Sequence, residues 1–570
     1  MAQIIKHQHK EDFKDVDRGN IFTYLQSNPN GIPDSKAMFI RADGKSFSRG
    51  HIFQQARQIA HALRHKLKLA EGDRVAIFSP NSCTYPTLVY AGLGAGVVLV
   101  PCNPQYSPEE LVHPIKDASV KYIFAHPAVV GNARKALQLA GISKKTEQGV
   151  ERVWLLDDTD TLATVQDGQE KDARTLIGKE EMEPLVVKDA AERTAFIAYS
   201  SGTSGKPKGV MLTHKNMTSV TASMIIALKN DFHSNSTALA VLPFQHIFAL
   251  AKFIHFGALW GYSTVVLPKF DLELFLGSIQ RYKVNLAILV PPIAVLLAKH
   301  PLVEKYDLSS ITVILSGAAP LSKELGDEVE ARIPNARVTQ GYGLSETSPT
   351  ATYMSIEKYR DFKGSCGELM PCIEARLVND DGKDVGHEQG ADGNPGELWL
   401  RGPTIMKGYL NNEEATRDCI TDDGWFKTGD IAISKGAVLW IVDRKKELIK
   451  YKGFQVAPAE LEALLLRHPK VADAAVVGIY SEAEATEYPR AYIVPRADAG
   501  VDVKDKAQAE QLGKEVRKWV DEQVFNAKRL RGGVIVEAAI EKSPSGKILR
   551  RVYKQRHEEE EKKKKGSSKM

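Results

Sequence analysis

Ala195-Phe-Ile-Ala-Tyr-Ser-Ser-Gly-Thr-Ser-Gly-Lys-Pro-Lys-Gly-Val-Met-Leu-Thr213 reads as an apolar strand, a loop of glycines and hydroxyls, and a second apolar strand. Gly202, Gly205 and Gly209 free the backbone to turn its N–H groups toward one anion. Ser200, Ser201, Thr203 and Ser204 offer hydroxyl donors, and Lys206 and Lys208 supply positive charge. This composition suits a polyphosphate. It is not a Walker A loop. The GxxxxGK spacing is missing, and Pro207 stands where that motif would open its helix. A Ser/Gly surface linker is the plainer alternative.

Working outward, the chain alternates short apolar runs with amphipathic stretches. Arg74–Phe78, Val97–Val100, Tyr122–Ala125, Val153–Leu156, Ala287–Val290 and Thr312–Leu315 read as buried strands. Leu272–Tyr282 and Leu321–Ala331 read as helices between them. Continuous apolar strands followed by helices predict parallel sheets covered on both faces. From Asn394 to Asp430 turn punctuation dominates around Glu397–Leu400, which predicts a small antiparallel β unit. After about Asp443 the pattern changes again. A helix from Pro458 to Arg467, strands Ala474–Tyr480 and Ala491–Val494, a helix from about Gln508 to Asn526 and a strand Val534–Val536 form a separate α+β unit. The expected architecture is α/β. A large N-terminal domain (1–442) has parallel-sheet layers plus a small β unit, and a small mobile α+β domain (443–556) and a charged tail (557–570) follow.

Bulk properties narrow the function. With 570 residues, 43% hydrophobic and 26% charged, the chain suits a multidomain globular enzyme. A net charge of +5 is too mild to signal nucleic-acid binding. Five cysteines without CxxC spacing point away from zinc and from a disulfide framework. The longest apolar run, Leu88–Pro101, is broken by glycines and is too short to cross a membrane. The Asn-X-Ser/Thr matches at Asn216 and Asn235 read as chance.

Further stretches, taken in four groups, carry chemistry. Gln340-Gly-Tyr-Gly-Leu-Ser-Glu-Thr347 ends a strand in a Gly-rich turn. There Tyr342 can stack on a base, and Glu346 offers Mg²⁺ the oxygen ligand it prefers. Ser316-Gly-Ala-Ala-Pro320 is a strand-to-helix turn of small residues, open to a flat ring. Thr428-Gly-Asp430 with Asp443-Arg444 places a carboxylate where it can accept ribose hydroxyls, beside a guanidinium. Lys446–Val456 and Ser543-Pro-Ser-Gly-Lys-Ile-Leu-Arg550 both present lysines on Gly-containing loops. A buried Tyr, exposed turn residues and a solvated lysine face are the plain alternatives.

In this order the stretches resemble the adenylate-forming superfamily of acyl-CoA synthetases, beetle luciferases and peptide-synthetase adenylation domains. The likeness runs from about Phe39 to Arg551 and is nearest to 4-coumarate–CoA ligase-like enzymes, including fungal aryl- and phenylacetate–CoA ligases. It implies an AMP-forming acid–thiol ligase with ATP, Mg²⁺ and coenzyme A. A carboxylate attacks the α-phosphate of ATP, giving acyl-AMP and pyrophosphate, and the CoA thiol then displaces AMP. The acid implied is aromatic (cinnamate- or phenylacetate-like) or medium-chain. A stand-alone enzyme loading a carrier protein, a luciferase-like oxygenase and a non-catalytic nucleotide binder share parts of the pattern.

Residue roles follow from the same resemblance. It implies that Lys547 bridges the carboxylate and the α-phosphate, and that Ser200–Lys208 hold the β- and γ-phosphates. Thr203 and Glu346 match metal-associated positions. Ala318, Ala319, Gln340, Gly341, Tyr342 and Ser345 match the adenine and phosphate wall, Asp430 the ribose ligand and Arg444 a nucleotide contact. Lys446 matches the hinge of a domain rotation. After that rotation Lys450 and Gln455 face acyl-AMP while Lys452 and Gly453 line the CoA channel. His246, Phe248, Ser316 and Gly341 match the acyl pocket, with His246 also among the catalytic positions. The chain departs from the plant hydroxycinnamate pattern at Phe248, where those enzymes commonly carry Tyr. The C-terminal Ser568-Lys-Met570 resembles a peroxisomal address read by an import receptor, which implies a peroxisomal rather than cytoplasmic enzyme.

Overall fold

The computed structural model describes residues 3–165, 168–200, 207–228, 231–386, 394–452, 454–481, 484, 486–524, 526–543 and 546–567. The chain divides into two compact units. The larger comprises Ile4–Ala375 and Leu400–Phe426. The smaller comprises Met1–Gln3, Arg376–Trp399 and Lys427–Met570. The expected boundary at 442/443 falls in the strand Val438–Arg444 of the smaller unit.

The larger unit holds two mainly parallel sheets. In one, Ala37–Arg41, Ser263–Val266, Thr237–Ala240, Leu286–Leu289, Val313–Ser316 and Arg337–Tyr342 lie side by side, all parallel. The short strand Thr352–Tyr353 then pairs antiparallel, setting Gly341 opposite Tyr353. In the other, Thr194–Ser200, Val98–Cys102, Arg74–Phe78, Tyr122–Ala125 and Val153–Leu155 run parallel, and Lys208–Thr213 closes one edge antiparallel. Most of these strands are buried along their length, as their unbroken Val, Ile, Leu and Ala content requires. The helix Leu272–Tyr282 spans the predicted residues, capped by Asp271 accepting from the Leu274 N–H at 2.9 Å.

One cap does more than end a helix. Thr213 and Asn216 form a capping box at the start of His214–Ala227, with reciprocal bonds of 3.1 and 2.8 Å. The Asn216 amide then donates to the carbonyls of Pro403 and Ile405, both at 2.8 Å. A buried, fully engaged amide cannot accept a glycan in the folded protein, so the Asn216 match is chance, as its sequence setting suggests.

The segment expected to be wholly β is mixed. Gly396–Arg401 is a strand, Gly408–Tyr409 adds to the edge of Lys208–Thr213, and Glu413–Cys419 is a helix capped by Asn412. In the smaller unit Val471–Ser481 and Thr486–Pro495 form a long antiparallel pair, with Val534–Val536 parallel at its edge. Helices Pro458–Leu466 and Lys506–Asp521 pack their apolar sides on this sheet around Val476, Ile493, Leu512 and Val516. The last helix, Arg550–Ser567, takes in most of the tail expected at 557–570. Among the described residues no helix is long and apolar enough to cross a membrane.

Candidate active site

The hydroxyl- and glycine-rich loop bridges two paired strands. Ser200 stands opposite Lys208 and Tyr199 opposite Gly209, so both ends are held at ladder distance. Side chains tighten the frame. Tyr199 donates to Asp117 at 2.7 Å, and the His113 ring meets the Pro207 carbonyl at 2.8 Å. Burial and the neighbouring Asp117 raise the Tyr199 phenol far above its ordinary pKa, keeping it a donor. Gly209 is needed for packing, since a Cβ there would lie 2.9 Å from Ile197. Ser201, Gly202, Thr203, Ser204, Gly205 and Lys206 lie outside the described residues, as do Gly453, the Gln455 side chain and Ser568–Met570.

Lys208 leads to a residue that sequence reasoning missed. Its Nζ sits 4.8 Å above the Tyr409 ring, and the Tyr409 hydroxyl donates to Glu346 at 2.9 Å. Burial and the Glu346 charge push the Tyr409 phenol up. Lys208, Tyr409 and Glu346 thus form one row, with Glu346 buried rather than exposed. Tyr409 lies 63 positions from Glu346 in sequence, so no local pattern links them. Among the described residues no three His, Cys, Asp or Glu side chains converge on a metal. A single buried carboxylate is the donor set of an ion that keeps water and phosphate oxygens, as Mg²⁺ does.

The turn after Val313–Ser316 has Ala318 at φ +70°, a left-handed conformation for a residue with a Cβ. Such strain persists where surrounding contacts fix it and gathers at functional sites. Gln340 supplies one fixing contact. Its side-chain oxygen accepts from the Leu321 N–H and its NH₂ donates to the Leu321 carbonyl, both at 2.9 Å. The carboxamide predicted to face a nucleotide therefore spends both ends clamping the turn that carries Ala318 and Ala319. The Tyr342 N–H donates to Thr352 Oγ1 at 3.1 Å, fixing its strand end. Ser345 opens a short 3₁₀ turn through Thr347. Gly343 has no room for a side chain, because a Cβ would lie 1.5 Å from the Pro349 carbonyl.

His246 caps the helix beginning at Ile247, its Nδ1 accepting from the Phe248 N–H at 3.3 Å. Phe248 reaches Gly317, where a Cβ would lie 2.9 Å from the ring. The helix and the strand end Ser316 are thereby brought together, next to Ala318. Gly341 lies on the neighbouring strand, one residue beyond the partner of Ser316.

In the smaller unit Asp430 and Arg444 face each other across a hairpin. Arg444 Nε lies 3.3 Å from Asp430 Oδ1, and Asp430 is 3% exposed. The Asp430 N–H donates to Thr428 Oγ1 at 3.0 Å, which fixes the strand end. Lys446 is exposed on the turn that follows. Lys450 is exposed on the strand Ile449–Tyr451, its N–H held by Glu487 at 2.7 Å. Lys452 pairs with Glu484 at 2.6 Å. Lys547 sits on a turn closed at both ends by Ser543. The Lys547 N–H donates to Ser543 Oγ at 3.1 Å, and the Ser543 N–H donates to the Lys547 carbonyl at 2.8 Å.

Three residues on, Arg550 is the hub of this unit. It donates to both oxygens of Glu462 at 2.8 and 2.7 Å, to Glu447 at 2.7 Å and to the Val476 carbonyl at 3.2 Å. Glu447 in turn lies three residues before Lys450. The two lysine loops are therefore tied through one guanidinium, a linkage with no signature in local sequence.

The AMP-binding enzyme family model matches residues 25–410, and the AMP-binding enzyme C-terminal domain model matches 460–547. A probable 4-coumarate–CoA ligase 1 of Dictyostelium discoideum is 36% identical over 544 residues, covering 93% of each chain. The 4-coumarate–CoA ligase 1 of Arabidopsis thaliana is 38% identical over 542 residues, covering 93% of this chain and 91% of its own. Among solved structures, ATP-bound MatB from Rhodopseudomonas palustris superposes with a TM-score of 0.79 at 26% identity, over 94% of this chain and 98% of that one.

Proposed function

The chain belongs to the AMP-binding enzyme family, and from that premise we propose that it is an ATP-dependent carboxylate–CoA ligase acting on an aromatic acid. The observation that carries this reading is similarity to 4-coumarate–CoA ligases along more than nine-tenths of the chain.

The chemistry has two parts. A carboxylate must first reach the α-phosphate of ATP against charge repulsion, so rate comes from positioning and from cations placed where charge builds. The anchored loop between Ser200 and Lys208 holds the β- and γ-phosphates, and the turn at Ala318 receives the adenine. Asp430 takes the ribose hydroxyls, with Arg444 beside it. Lys547 supplies the ammonium between carboxylate and phosphate. Glu346 and Thr203 would hold Mg²⁺, which would supply neutralisation of phosphate charge. In the second part the CoA thiol attacks acyl-AMP along the path Lys547 occupied. Rotation about Lys446 exchanges the Lys547 turn for Lys450 and Gln455, while Lys452 and Gly453 line the thiol's approach.

A pyrophosphate-release assay over cinnamate-, phenylacetate- and medium-chain acids, with and without CoA, tests the reading. Release is expected with aromatic acids, and thioester only when CoA is added. Release confined to medium-chain acids would remove the aromatic assignment.

Ser568-Lys-Met570 is proposed to direct the enzyme to the peroxisome through the import receptor for such C-termini. Deleting these residues is expected to leave kcat/KM unchanged and move a tagged protein to the cytosol. An unaltered distribution by fluorescence would reject the targeting role.

A further inference from the structure

Lys252 is 1% exposed inside the larger unit. Its Nζ lies 3.0 Å from the Met224 sulfur and 6.0 Å from the Tyr353 ring. A thioether is a weak acceptor, so the ammonium has surrendered water for little in return. Among the described residues no carboxylate lies within ion-pair distance of it. Burial alone pushes it down to about 7. Met or Leu would pack such a site without that cost, so a lysine there needs a use.

Its place in the fold suggests one. Lys252 lies on the π-helical stretch Leu250–Phe256, which continues the helix capped by His246. Four residues earlier on the same helix is Phe248, whose ring meets Gly317. On the sheet side, Tyr353 stands opposite Gly341. Lys252 thus follows Phe248 by about one turn, and its Nζ faces Tyr353, the strand partner of Gly341. On the strand neighbouring that of Gly341, Ser316 Oγ, on a residue 1% exposed, also makes no hydrogen bond among the described residues.

We propose that Lys252 determines specificity by receiving a carboxylate at the far end of the substrate, so that the preferred acid is a dicarboxylate activated at one end only. The proposal rests on the acid-activating reading above and narrows its substrate class. Without substrate, a lysine near neutrality can shed its proton and sit in the dry core as an amine. An entering carboxylate restores the ammonium and gives it the partner it lacks. A site with an unmatched buried donor discriminates against acids that leave it unmatched.

The test uses the full-length enzyme and its Lys252→Met variant, which keeps side-chain length while removing the charge. Pyrophosphate release is measured with cinnamate, 3-(4-carboxyphenyl)propenoate, octanoate and octanedioate. Wild type is expected to favour the diacid of at least one pair by 10-fold or more in kcat/KM. The variant is expected to lose that preference, mainly through a higher KM for the diacid, while monoacid kcat stays within about 3-fold. A wild type that favours both monoacids, or a diacid preference that survives in Lys252→Met, overturns the role of Lys252 and leaves acid activation standing. No release from wild type with any of the four acids overturns both readings. Because wild-type preference alone can refute the proposal, a variant that folds poorly does not shield it.

Discussion

Replacing Lys547 by alanine is expected to abolish pyrophosphate release from acid plus ATP while largely sparing thioester formation from pre-made acyl-AMP. A positioned cation that stabilises developing charge is worth about 10²–10³ in rate, or roughly 2.7–4 kcal/mol. The loss should fall on kcat of the first half-reaction, because the ammonium matters most when carboxylate and phosphate oxygens converge. The Ser543–Lys547 turn is closed by backbone atoms and the Ser543 hydroxyl, so truncating the side chain should leave it folded. Single-turnover assays of the two steps decide the matter. Equal losses in both would show that the two lysine loops do not divide the reaction.

Replacing Arg550 by alanine is expected to cost the most stability of any change considered. The guanidinium and its partners Glu447 and Glu462 keep only 11–19% side-chain exposure, and two largely buried carboxylates would lose their shared cation. Breaking a buried pair by removing one partner typically costs about 3–5 kcal/mol. Residual exposure favours the low end, about 3 kcal/mol here. Lysine should restore only part, since it lacks the fork that engages both oxygens of Glu462. Calorimetry of wild type, Arg550→Ala, Arg550→Lys and the Arg550→Met/Glu462→Leu pair would check this. A loss under 1 kcal/mol in Arg550→Ala would remove the hub from the account. Lys450 activity should fall together with Lys547 activity in Arg550→Ala, since Arg550 holds both loops.

Much of the fold was legible because its strands are buried on both sides. Arg74–Phe78, Tyr122–Ala125 and the helix Leu272–Tyr282 stand where their patterns place them. Errors occur where tertiary contacts override local cues. The helix expected from Gln508 to Asn526 spans Lys506–Asp521. Asp505 caps its start, and the Asp521 side chain turns to the Leu530 N–H at 2.8 Å. Glu413–Cys419 became a helix within a segment whose turn residues suggested only strands. The stretches that carry chemistry were legible as motifs, and the contacts supporting them were not. Tyr409 beneath Lys208, Arg550 between two loops and Lys252 facing Tyr353 are all joined across long sequence separations or through burial. Lys252 is the sharpest case. A single lysine in Leu250–Phe256 reads as a solvated interruption of an apolar run, yet it lies wholly inside.

The carboxamide of Gln340 grips Leu321 with one donor and one acceptor, and neither changes protonation in any pH an enzyme meets. The wall proposed for the adenine is therefore braced by a strut indifferent to acid, base and salt. A glutamate in its place would still accept from the Leu321 amide but would turn a lone pair against the Leu321 carbonyl. A pH dependence in this enzyme would therefore originate in other groups than the Gln340–Leu321 clamp.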